Sequence, residues 1–348
     1  MQLLEKNTEL LLSQRLKIGG LSIVVRSRSA QVISWLRFDF SYFLSDDEES
    51  ATDVVFTVLI ESPDNYAIPP LDQSMLTPYW VCFEKGCIKY VDYQGKALLI
   101  YDYSTEHGTV YCEEPAVAYE RLYLAVLSRV GEKMDLGGKH RVHALGITFS
   151  GKGCLFLMPA GGGKSTLALS LLRDERVKLV SEDSPLINRA GGLLPFPFRM
   201  GITNGENTES IPEPFKRDVT RMYGGTKVLV DINWLRGRIQ GGKVRNSFIF
   251  CGRRTTASSP RLVPVSRVEA FKALLKDCVL GVGLPQVIEL FLRSGCRAFL
   301  EKGLIASSRL VAAVALSFRS QAFILYLCSD REKNAQLVLS FLERNYEG

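Results

Sequence analysis

The sequence lacks features that would each mark a class of protein. No run of eighteen apolar residues occurs, and the oiliest region, Leu310 to Cys328, is broken by Arg319; a membrane span is therefore not expected. The first fifteen residues carry Glu5, Lys6 and Glu9 among their apolar positions, unlike the basic start and continuous apolar segment of a signal peptide. The eight cysteines (82, 87, 112, 154, 251, 278, 296, 328) contain no CxxC pair, and several sit inside apolar runs. They read as reduced, mostly buried residues of a cytoplasmic protein rather than as disulfides or zinc ligands. Histidine is scarce, at 107, 140 and 143 only, which leaves little scope for a His-rich metal site. No internal repeat is visible.

What is present is the composition of an ordinary folded chain. Hydrophobic residues make up 46% and charged residues 23% of 348 positions, which excludes disordered and collagen-like classes. At roughly 150 residues per domain, two domains are expected. Residues 1–130 read as a small, mostly antiparallel β domain ending in a helix. Its strands are LSIVVRS, QVISWLRFDF, DVVFTVLIES, YWVCFEK with GCIKYVDY, KALLIYDYS and TVYCEE. Pro115 opens the helical stretch AVAYERLYLAVLSRV. The polar segment GEKMDLGGKHR, residues 131–141, reads as a linker, with His140 an exposed part of it. Residues 131–348 then alternate strands with helices in an α/β rhythm. Helices are expected at about 164–173, 266–278 and 284–294, and the strand AFILYLC leads into a last helix, REKNAQLVLSFLERN.

The most informative segment is Gly153 to Leu172, GCLFLMPAGGGKSTLALSLL: an apolar strand, a run of glycines, Lys-Ser-Thr, then an amphipathic helix. Ala160, Gly161, Gly162 and Gly163 let backbone N–H groups turn around an anion without obstruction by side chains, and the helix offers its positive end to the same anion. Lys164 would reach the β- and γ-phosphates of ATP, Ser165 would place its hydroxyl on Mg²⁺, and Thr166 follows in the first turn. The usual spacing asks for a glycine where Met158 stands. A glycine-rich turn that merely joins strand to helix is the bland alternative. KLVSED follows, a strand ending in Glu182 and Asp183, where one carboxylate could hold Mg²⁺ and the other accept a proton from an attacking hydroxyl; a solvated turn is its alternative. His143, in VHALGI one strand earlier, reads first, taken by itself, as a core or turn histidine.

In this order and spacing the three elements resemble the HPr kinase/phosphorylase family and its related proteins. The resemblance is clear over about 45 residues, from Val142 to Leu186, and weaker at LLPFPFRMGI and in the last strand and helix. It implies an α/β kinase domain with a phosphoenolpyruvate-carboxykinase-like phosphate-loop fold, α+β overall with the preceding β domain. SGKG, residues 150–153, resembles the family's hairpin. Glu182 would take the place of the acid that activates the acceptor hydroxyl, Asp183 that of the metal-associated acid, and His143 would lie near the phosphates. The chain departs from the family in having Glu at the first acid, Met158 at the first loop glycine, and no Glu-x-Arg-Gly signature, of which FRMG with Arg199 is the nearest remnant. A related kinase with another acceptor fits better than the HPr enzyme itself, and a closed homo-oligomer is suggested by the same resemblance.

Residues 216–277 hold fourteen Lys or Arg against four Asp or Glu, while the whole chain carries only +6. Such a stretch could neutralise a triphosphate and an acidic acceptor, follow a nucleic acid, or simply face solvent; without a nucleic-acid-binding signature, nucleic acid is not the expected partner. Arg253 and Arg254, with Arg199, are the candidate acceptor or phosphate contacts. The expected activity is ATP- and Mg²⁺-dependent transfer of the γ-phosphoryl group to a hydroxyl of a small molecule, peptide or protein. The alternatives are a nucleotide sensor that transfers nothing and a simple ATPase.

Overall fold

A computed structural model describes residues 11–47, 49–203, 208, 209, 211–220, 226–284 and 288–346. The signal-peptide reading of the first residues therefore lies largely outside the described chain, as do 221–225 of the basic stretch and 285–287 of the helix expected at 284–294. The protein is a mixed α/β chain in two compact units. One comprises the described residues of Met1–Lys133 and Pro285–Leu300, the other those of Met134–Thr220, Gly224–Leu284 and Glu301–Gly348.

The first unit is built on nine strands: β1 (Leu12–Ile18), β2 (Leu21–Ser27), β3 (Leu44–Ser45), β4 (Val54–Leu59), β5 (Gln73–Leu76), β6 (Val81–Lys85), β7 (Ile88–Asp92), β8 (Leu98–Asp102) and β9 (His107–Tyr111). Their order is β3-β1-β2-β4-β9-β8-β7-β6-β5. The expected antiparallel character holds for six of the eight pairings, while β2–β4 and β4–β9 are parallel. A parallel pair needs a crossover, and here QVISWLRFDF, expected as a strand, supplies it as helix α1 (Ala30–Asp39). Ser29 caps it by accepting from the Val32 amide, and Val32, Ile33 and Leu36 bury one face at helical spacing. Helix α2 (Pro115–Leu136) begins at the expected proline but runs six residues into the segment read as a linker. Glu132 explains the extension, because it is 2% exposed and paired with Arg129 one turn back.

The second unit contains β10 (Lys139–Arg141), β11 (Leu145–Phe149), β12 (Lys152–Leu157), α3 (Lys164–Leu171), β13 (Val177–Ser181), β14 (Leu186–Asn188), β15 (Gly192–Leu194), β16 (Met200–Thr203), β17 (Lys216–Thr220), β18 (Thr226–Val230), β19 (Val244–Arg254), β20 (Arg261–Val265) and α4 (Arg267–Leu274). The short α5 (Ile288–Phe291) belongs to the first unit; α6 (Cys296–Arg319), β21 (Gln321–Leu327) and α7 (Arg331–Tyr346) follow. The main sheet runs β10-β14-β15-β19-β12-β11-β13, with β21 pairing β19 and β20; β16-β18-β17 form a small antiparallel sheet. Strand β12 is buried along Gly153–Leu157 and lies parallel to β19, as an interior strand covered on both faces should. Leu155 and Leu157 point into an aliphatic core with Val180, Leu274, Ala312 and Leu316. On the alternate face Phe156 stacks on Phe250, at 4.6 Å between centroids, within an aromatic cluster completed by Phe323 and Phe341 of α7. Each such side chain contributes roughly 1.5–3 kcal/mol of burial, so the strand that feeds the glycine loop is anchored from both sides. The SGKG hairpin forms as expected, with Ser150 and Gly151 at positive φ between β11 and β12.

His140 corrects the sequence reading. It is fully buried, not an exposed linker residue. Its Nδ1 lies 2.8 Å from Asp135 Oδ1 and its Nε2 2.9 Å from Ser308 Oγ, while Arg309 grips the same carboxylate. Burial pushes the Asp135 carboxyl up, but the bonds from His140 and Arg309 outweigh it and hold the group below the usual carboxylate range. The connectivity is that of a nucleophile relay. Ser308, however, sits mid-helix, where i→i−4 bonds occupy the backbone N–H groups and leave no oxyanion hole. The cluster is a buried lock between β10, the end of α2 and α6.

Candidate functional site

The candidate site forms at one edge of the main sheet because β11 is antiparallel to both of its neighbours. The C-terminal ends of β12 and β13 and the entry to β11 thereby meet. The backbone ladder is extended by Val142 N–H to Pro185 O and Ala144 N–H to Asp183 O, at 3.0 and 3.1 Å, which sets His143 beside Asp183. The loop after β12 delivers Lys164 to the same place.

Gly161 and Gly163 adopt φ of 69° and 97°, a region that L side chains rarely enter, and a Cβ at either would meet open space. Between them the Gly162 amide closes a tight turn on Pro159 O at 2.9 Å. Gly163 precedes α3 without a side-chain cap, and the first turn of a helix offers N–H groups that suit an anion. Ala160 and Gly161 are exposed on the loop's outer side. The missing first glycine has a local explanation. Met158 is 1% exposed, and a Cβ on Gly252 of β19 would lie 2.5 Å from its Cγ. Glycine at 252 makes the room that methionine at 158 occupies.

Lys164 is 6% exposed and central. Its Nζ lies 2.8 Å from His143 Nε2, 3.0 Å from Met158 O and 3.6 Å from Asp183 Oδ1. An ammonium only donates, so in this contact His143 Nε2 accepts from Lys164. Asp183 Oδ1 is also 3.3 Å from His143 Nε2. Burial pushes the Asp183 carboxyl up, yet the close contact with the His143 ring and the attraction of Lys164 prevail and keep it below the ordinary value. Glu182 behaves oppositely. Burial first, and then the charge of Asp183 beside it, push its carboxyl up to about 7. It accepts a hydrogen bond from Ser165 Oγ at 2.5 Å. Adjacent carboxyls thus differ in state below neutral pH, one protonated and one ionised.

The structure therefore brings together Lys164, His143, Asp183, Ser165 and Glu182. Arg254 joins them through Nη2, which donates to Gly161 O at 3.0 Å. Arg253 is exposed near the end of β19, and Arg199 lies just before β16. Other members of the basic stretch take separate work: Arg238 binds the carbonyls of Asp174 and Val177, and Arg261 lies over Tyr326. Three site residues escaped sequence reasoning. Lys227 on β18 exerts a downward pull on the Glu182 carboxyl. Asp277, whose carboxyl burial pushes up, accepts from the His143 amide through its main-chain oxygen at 3.0 Å. Gly283, at φ 89°, lies so close that a Cβ would stand 2.3 Å from His143 Nδ1. The GVG triplet at 281–283 was the available signal. Gly283→Ala is expected to displace the His143 ring and with it the Lys164 amine. A loss of roughly 1–3 kcal/mol in urea unfolding and a weaker response to ATP would register both effects.

Among the described residues, no group of three His, Cys, Asp or Glu side chains could by itself hold a metal, and no helix is long and apolar enough to cross a membrane. All eight cysteines are free, five of them buried. No family model matches the chain, and no curated protein matches it.

Proposed function

We propose that this chain is an HPr-kinase-like phosphotransferase that moves the γ-phosphoryl group of ATP to a hydroxyl acceptor. One observation carries the reading: a buried lysine at the head of a glycine loop meets, within 3.6 Å, a histidine ring nitrogen and an aspartate carboxylate, while the adjoining glutamate sits on the loop serine. The open cradle at Gly161 and Gly163 suits the polyphosphate of ATP. Ser165 and Asp183, a hydroxyl and a half-exposed carboxylate, suit Mg²⁺, which takes one or two protein oxygens and completes its shell with phosphates and water. When bound, the metal would neutralise charge on the transferring group.

The chain's own residues supply positioning and proton transfer. Lys164 holds the phosphate tail and opposes the charge that develops on it. His143 and Asp183 keep the amine at that point. Glu182 accepts the acceptor's proton, and a carboxyl at about 7 is matched to that task near neutral pH. Arg254 braces the loop through the Gly161 carbonyl. The phosphoenolpyruvate-carboxykinase-like fold belongs to this same proposal.

Incubation with γ-labelled ATP, Mg²⁺ and fractionated lysate tests it. A labelled acceptor that requires Glu182 is the expected result. Tight ATP binding with neither labelled product nor released phosphate would reject transfer in favour of a sensor. Phosphate release without an acceptor would reject it in favour of an ATPase.

A further inference from the structure

Helix α6 has two unlike faces. Ile305, Arg309, Ala312, Ala313 and Leu316 are buried. The opposite face bears Leu304, Leu310, Val311, Val314 and Phe318, which are 67, 41, 54, 36 and 61% exposed. Between Gly303 and Phe318 the only charged residue is the buried Arg309. Leu304, Ser307, Val311, Val314 and Phe318 follow one another at steps of three, four, three and four, the spacing of a helix-pairing seam. The seam is about 21 Å long. A contiguous apolar face of this kind marks an interaction surface.

We propose that this face packs antiparallel against the same face of a second copy of the chain, about a two-fold axis at Val311. Size complementarity favours a copy as the occupant. With Val311 on the axis, Phe318 of the partner subunit falls opposite Leu304, next to Gly303, where a Cβ would meet nothing within 4 Å. Gly303 thereby leaves room beside Leu304 for the largest side chain of the seam. Charge selects the direction. Arg319 ends the helix, and the Arg267 guanidinium lies 5.8 Å over the Phe318 ring. Parallel packing would set each of these cations against its own copy, whereas antiparallel packing separates them, brings Arg319 toward Glu301 of the partner subunit, and opposes the helix dipoles. Area agrees as well. Side chains of this size expose of order 150–200 Å² each when free, so the five offer roughly 450 Å² per copy, and two copies with their flanking small residues approach the roughly 1,200 Å² of a modest stable interface.

Sedimentation of the full chain tests the pairing. A dimer dissociating in the micromolar range is expected, and Val311→Glu and Val311→Lys should each weaken it at least about 100-fold, with unchanged thermal melts because position 311 is exposed. Mixing the two variants should restore a dimer, since each position on the axis meets its own copy. With Cys87 and Cys296 replaced by serine, a chain carrying Leu304→Cys should form a disulfide with one carrying Phe318→Cys, and neither should do so alone. A wild-type monomer at about 50 µM, a dimer indifferent to both charges, cross-linking of Leu304→Cys with itself, or binding to phospholipid vesicles in place of self-association would each overturn the pairing.

Discussion

Replacing Lys164 by alanine is expected to lower phosphoryl transfer by at least about 10³-fold, the cost of removing the principal charge from a preorganised anion site. The amine is buried, and Arg254 does not replace it, being turned to the carbonyl of Gly161. Its loss also unties the two groups it holds. His143 loses the donor on Nε2, and Asp183 loses a cation 3.6 Å away.

The fold should nevertheless survive. Asp183 keeps a side chain 46% exposed that water can rehydrate, and His143 Nε2, 3.3 Å away, remains as its partner. Strand β12 is anchored by the apolar core and helix α3 by its buried Leu167, Ala168 and Leu171, and neither depends on the amine. Single-turnover transfer from γ-labelled ATP, read beside a thermal melt, separates the two effects. Transfer within about tenfold of the wild type would remove Lys164 from its role and with it the central charge of the proposed mechanism.

The glycine loop was legible in the sequence because its parts are contiguous. An apolar strand, conformationally free glycines and a helix start occur within twenty residues, and each imposes a local geometry. The paired acids were legible as the end of a strand, whereas their route to the loop was not: β13 lies beside β11 rather than β12, and two antiparallel steps through β11 bring both strand ends to one edge. Distant partners were not legible either. Glu132 reads as the polar surface of a linker until Arg129 and, from far along the chain, Arg293 meet its carboxylate. His140 likewise reads as solvent-facing until Asp135, Ser308 and Arg309 enclose it. Met158 looks like a defect in the motif until Gly252 is found beneath it. Segment α1 misled for another reason. Its β-branched and aromatic composition favours a strand, but the Ser29 cap and the 3–4 spacing of Val32, Ile33 and Leu36 decide for a helix.

Glu182→Gln is expected to move activity and stability in opposite directions. The carboxyl stands near 7 in the fold against an ordinary 4.5, so the folded chain holds a proton that the unfolded chain releases between those values. Stability from this group is complete below about pH 4.5 and is lost as pH rises through about 7, a total on the order of 3 kcal/mol. Glutamine is neutral throughout, and its amide oxygen can still accept from Ser165. At pH 8 the variant should therefore unfold at higher temperature than the wild type, with the gap closing as pH falls toward 4.5. Turnover should fall by about 10²–10⁴-fold, the usual worth of a general base, and the wild-type rise in rate through pH 7 should disappear. ATP affinity should persist because the loop is untouched. A gain in stability with turnover intact would mean that Glu182 is buried but idle in the chemistry. A loss of both would mean that the carboxylate serves structure first, and that burial next to Asp183 is not the strain a functional site is expected to store.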